Sequence, residues 1–135
     1  MFTGKACFIR NQDKEKDGKM TVKECYELMN ADYEGVLSRL MKDERIEKYL
    51  HKFADGNYYD EISNALEAES WEDAFRAVHS LKGMSLNLGF ENLHKLSDVL
   101  CEELRPCVKP ENDISSMVSD VKEEYEKVIA AINAL

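Results

Sequence analysis

The residues best suited to chemistry lie in one short run, His79-Ser80-Leu81-Lys82-Gly83, followed by Asn87-Leu88-Gly89. Neutral imidazole is a competent nucleophile near neutral pH. A phosphoryl group carried on it would bring negative charge that an ammonium three residues along the chain can partly offset. A glycine beside the ring opens space for a large donor approaching from outside. The chemistry that fits this grouping is phosphorylation of His79, with Lys82 and Gly83 in support.

For that chemistry the histidine must stand on the outer face of its helix. At about 100° per residue, Ala74, Ala77, Val78, Leu81, Met84, Ser85 and Leu88 gather on one side of a helix running from Ser70 to Leu88, and His79 falls opposite them. Phe75 and Leu86 flank it, with Glu72 and Gly83 close by and Lys82 and Arg76 on the neighbouring ridges. Glycine inside a helix costs roughly 1 kcal/mol relative to alanine, so Gly83 wants a reason. Phe75 and Leu86 offer a partner an apolar landing patch. Ser70-Trp71-Glu72-Asp73 resembles a capping box at the helix start, and Gly89 suits the left-handed position after its end, with Phe90 as the accompanying apolar contact.

Around this helix the periodicity predicts others. Short pieces fall at Val22 to Asn30 and Tyr33 to Met41, then Asp43 to Ala54, a break at Gly56-Asn57, and Tyr58 to Ala68. Beyond Gly89, Leu93, Leu96, Leu100 and Leu104 mark one helix, Pro106 to Pro110 a connector, and Ile114 through Leu135 a last one. Short connections between amphipathic helices imply an all-α protein, an up-and-down antiparallel four-helix bundle with short accessory N-terminal helices. The chain of 135 residues is long enough to bury one core without staples. Its net charge of −9, from 27 acidic and 18 basic residues, argues against nucleic-acid binding. No stretch is apolar enough for a membrane span or a secretory signal, so a cytoplasmic protein is expected. Cys7, Cys25, Cys101 and Cys107 lack metal-site spacing and read as reduced thiols, and His51, His79 and His94 form no metal motif. No glycine-rich phosphate loop is present, so self-phosphorylation from ATP is not expected.

The run His79-Ser80-Leu81-Lys82-Gly83 with Asn87-Leu88-Gly89 resembles the signature of histidine-containing phosphotransfer (Hpt) domains. The resemblance reaches from about Met20 to Leu135, as pattern more than identity outside the motif. It implies a four-helix bundle in which His79 is phosphorylated on its outer ring nitrogen, Lys82 supports the phosphoryl group and Gly83 clears space for the partner. Phe75, Arg76, Leu86 and Asn87 then form the docking rim. The implied partner is a response-regulator receiver domain or a hybrid sensor histidine kinase, and the Mg²⁺ belongs to the receiver, with no cofactor in this chain. A monomer is expected, although the exposed patch could equally serve a weak dimer. Cys101 stands near the position where many relatives carry a Leu-Glu pair.

Residues 1–19 read as an N-terminal extension, disordered or a lead-in helix, ahead of a bundle domain at 20–135. Across that boundary, Asp13, Glu15, Asp17, Thr21 and Glu24 fall at positions 1, 3, 5, 9 and 12 of a calcium loop, with Gly18 at position 6. A polar tail is the competing reading, since position 3 is Glu and no second loop pairs with it. The alternative to a phosphocarrier is therefore a non-transferring helical adaptor or scaffold, either purely structural or responsive to calcium through the Asp13–Glu24 loop.

Overall fold

The computed structural model describes residues 20–135. Among them are seven helices and no strand: α1 (Val22–Met29), α2 (Tyr33–Leu40), α3 (Asp43–Asp55), α4 (Tyr58–Glu67), α5 (Trp71–Asn87), α6 (Glu91–Leu104) and α7 (Ser115–Asn133). The all-α expectation holds, and the protein is a helical bundle. No helix among the described residues is long and apolar enough to cross a membrane. Cys25, Cys101 and Cys107 are free.

Helix ends follow local chemistry. Thr21 opens α1 with a reciprocal cap: its Oγ1 accepts the Glu24 N–H at 3.1 Å, while Glu24 Oε1 accepts the Thr21 N–H at 2.9 Å. Both oxygens of the calcium-loop reading that lie in the described residues thus serve a helix cap, whereas Asp13, Glu15 and Asp17 lie outside them. The extension proposed for 1–19 also lies outside. Asn30 and Met41, expected as last helical residues, instead take left-handed conformations at φ 54° and 76°, where their amides return to the orphan carbonyls of α1 and α2. The box expected at Ser70 does not form. The Ser70 N–H is already donated to Ala65 O at 2.9 Å, closing α4 through the left-handed Glu69, so the Ser70 hydroxyl turns to the Asp73 carboxylate instead.

The core is continuous across the bundle. α5 packs on α4 and α6, α6 on α7, and α7 receives α3 and α1. α4 and α7 face each other across a groove lined by Tyr59, Leu66, Trp71, Ile114 and Val118. Phe53 centres an aromatic cluster with Tyr58, Phe90 and Tyr125, at centroid distances of 5.0, 5.2 and 5.7 Å. Tyr26, fully buried, tilts against Phe90 and donates its hydroxyl to Leu88 O at 2.8 Å, so α1 is tied to the end of α5. Each fully buried large side chain stabilises by about 1.5–3 kcal/mol. Because α1 carries Tyr26, its cap matters to the whole fold. Thr21→Ala should lower stability by about 1 kcal/mol, visible as a lower urea midpoint at unchanged slope.

Candidate functional site

The buried stripe of α5 is Ala74, Ala77, Val78, Leu81 and Ser85, with Leu88 just past its end, and His79 is turned to solvent as the wheel requires. Met84, at the margin of that stripe, is half-buried. Among the described residues, none hydrogen-bonds either ring nitrogen of His79, and one face of the imidazole lies on Phe75, centroids 5.8 Å apart and planes 25° from parallel. Phe75 is not fully exposed. The Arg105 guanidinium, held by Glu102, lies 5.5 Å from the Phe75 centroid, so the turn after α6 covers part of the ring. Phe75 thus meets the Arg105 guanidinium as well as the His79 ring.

Lys82, on the ridge beside His79, is engaged by a residue of the next helix. Its Nζ lies 2.8 Å from Asp98 Oδ1 across the α5–α6 groove, with 24% of the lysine side chain and 47% of the aspartate exposed. The hydrogen bond to Asp98 holds the ammonium above its ordinary range and the carboxyl below its own. The carbonyl of Lys82 also takes the Nδ1–H of His94 at 3.2 Å, so the half-buried His94 pins this turn of α5 to α6.

Around Gly83 the space is open: an added Cβ would meet nothing within 4 Å. The fold itself therefore does not require a glycine there. Arg76 is exposed and paired with Glu72 at 2.7 Å and Asp73 at 3.7 Å on its own helix. Leu86, 58% exposed, and Asn87 stand at the C-terminal end of α5, where Arg39 Nη2 donates to Asn87 O at 2.7 Å. Cys101 is fully buried, and burial raises its thiol above the usual range, so no acid occupies that position. Among the described residues, no cluster of three or more His, Cys, Asp or Glu side chains could hold a metal ion.

The helical spacing of α5 brings His79, Phe75, Lys82 and Gly83 to one face, and the packing of α6 adds Asp98, His94 and Arg105 to their surroundings. The last three sit on or just after α6, and the period of a single helix carries no information about which residue of the next helix comes opposite.

The family model of the Hpt domain matches residues 56–132, more than half of the chain, and the protein belongs to the Hpt family. Hpt domains are histidine-containing phosphotransfer modules of two-component phosphorelays, carriers rather than kinases. No match to the chain is found among curated proteins or solved structures.

Proposed function

We propose that this protein is a phosphocarrier in which His79 accepts a phosphoryl group from, and returns it to, the aspartate of a receiver domain, free or within a hybrid sensor kinase. The observation that carries the reading is the company of His79: a solvent-facing imidazole, unbonded at both nitrogens among the described residues, one turn before a glycine with empty space around it. The Nε2 lone pair attacks the phosphorus of the aspartyl phosphate in line. The new N–P bond forms as the bond to the aspartate oxygen breaks, and the aspartate departs as a carboxylate. The imidazole keeps its Nδ1 proton and becomes cationic, so charge balances without a base. Such a transition state is loose, and catalysis is mainly alignment plus neutralisation of the equatorial oxygens.

Within that scheme Phe75 orients the ring, Lys82 offsets phosphoryl charge and Gly83 admits the receiver. Leu86, Phe75, Arg76 and Asn87 form the docking rim. The acidic pocket and Mg²⁺ belong to the receiver. The domain takes in 20–135 rather than the matched span alone, with α4–α7 as an up-and-down four-helix bundle. Supporting that reading, each of these helices packs on the next, and the Tyr59 and Tyr125 rings meet between the first and last at 6.2 Å.

Incubation with receiver domains of the same cell, phosphorylated on aspartate with acetyl phosphate, tests the proposal. The expected product is an acid-labile, base-stable phosphate mapped to His79 by mass spectrometry and absent from His79→Gln. No label from any receiver, each shown active with another carrier, would leave an adaptor that retains the fold without the transfer.

A further inference from the structure

The Lys82–Asp98 pair lies outside the buried stripe on which α5 packs, yet it engages the one cation that the motif provides for the phosphoryl group. Asp98 reaches Lys82 from the middle of α6, across the groove, at 2.8 Å. Lys82 and His79 are three residues apart on one helix, a spacing that puts their side chains on neighbouring ridges about 5–6 Å apart at Cβ. A lysine ammonium has three N–H donors. One satisfies Asp98, and the others remain to meet a phosphoryl oxygen on His79.

We propose that Asp98 is a positioning residue that sets, through Lys82, how strongly the carrier holds its phosphoryl group. This rests on the carrier reading above. With Asp98 ionised, the phosphoryl group, itself carrying about −1.5 to −2 charges, meets an ammonium already half neutralised by a carboxylate. It therefore gains less from Lys82 than it would from a lone cation. The carrier state is held less firmly and the group is passed on more readily. The same tether keeps the long lysine side chain across the groove before the receiver arrives, so fewer rotamers are lost on docking. His94, bonded to the Lys82 carbonyl, fixes the backbone from which that side chain departs.

The test is the equilibrium of phosphoryl exchange between the full chain and a receiver that labels the wild type, followed in both directions. Asp98→Asn keeps the shape and removes the charge, and is expected to shift that equilibrium toward phosphohistidine by about threefold to fivefold, the upper end of what a solvent-accessible ion pair contributes. Asp98→Glu should return it toward wild type. In a Lys82→Gln background the Asp98→Asn effect should vanish, because its route is the lysine. An unmoved equilibrium in Asp98→Asn overturns the inference, as does a shift that persists without Lys82. If the wild type itself takes no label, the carrier reading falls and this inference with it. A labelled wild type with an unresponsive Asp98→Asn removes the inference alone.

Discussion

A Gly83→Leu protein should exchange phosphoryl groups with a receiver about a hundredfold more slowly than wild type or worse, while resisting urea better. The two halves have one cause. Nothing among the described residues lies within 4 Å of a Cβ added at Gly83, so a side chain starts there without a clash and gains most of the roughly 0.8–1 kcal/mol by which glycine trails alanine in a helix. The open volume is one turn beyond His79, on the face where a receiver must bring its aspartate into line. Displacing reacting atoms by about 1 Å costs on the order of 100-fold in rate. Gly83→Ala should share the gain in stability and lose less transfer. Chevron or urea midpoints and rapid-quench transfer rates check the pair, and wild-type transfer in Gly83→Leu would refute the steric role.

The other glycine of the motif behaves in the opposite way. Gly89→Ala is expected to destabilise the protein by about 3 kcal/mol, or roughly 10 °C in Tm. Gly89 sits at φ +77°, and its N–H and that of Phe90 return to Leu86 O and Ser85 O at 3.3 and 2.9 Å, closing α5. A Cβ there would lie 2.8 Å from Asp32 O and 2.6 Å from Val36 Cγ2. The backbone oxygen cannot swing aside as a flexible side chain would, because Asp32 also donates its own N–H to Gly89 O at 2.9 Å. Calorimetry or urea titration reads the loss, and a Tm within about 2 °C of wild type would show that α2 yields more cheaply than this contact implies.

Much of this was legible along one helix at a time. Apolar spacing placed the α5 stripe and the outward His79, and Gly89 with Phe90 marked how α5 ends. What escaped was set between elements. Asp98 reaches Lys82, and Arg105 covers Phe75, because of the register of α6 on α5, which neither helix encodes alone. The Ser70 box failed since α4 had already taken the amide it needed. The Thr21-Val22-Lys23-Glu24 run shows a different limit: a threonine followed three residues later by glutamate closes a calcium loop or opens a helix in the same letters, and here the helix uses both.

Trp71, on the wall of the groove between α4 and α7, is the only tryptophan of the chain. It lies roughly 12 Å along the α5 axis from His79, at 1.5 Å per residue. Its fluorescence accordingly reports how α4 closes on α7, while a phosphorus label reports the imidazole. One sample thus offers two channels with little crosstalk, optical for the fold and isotopic for the reaction, in which the Gly83 and Gly89 variants leave opposite signatures.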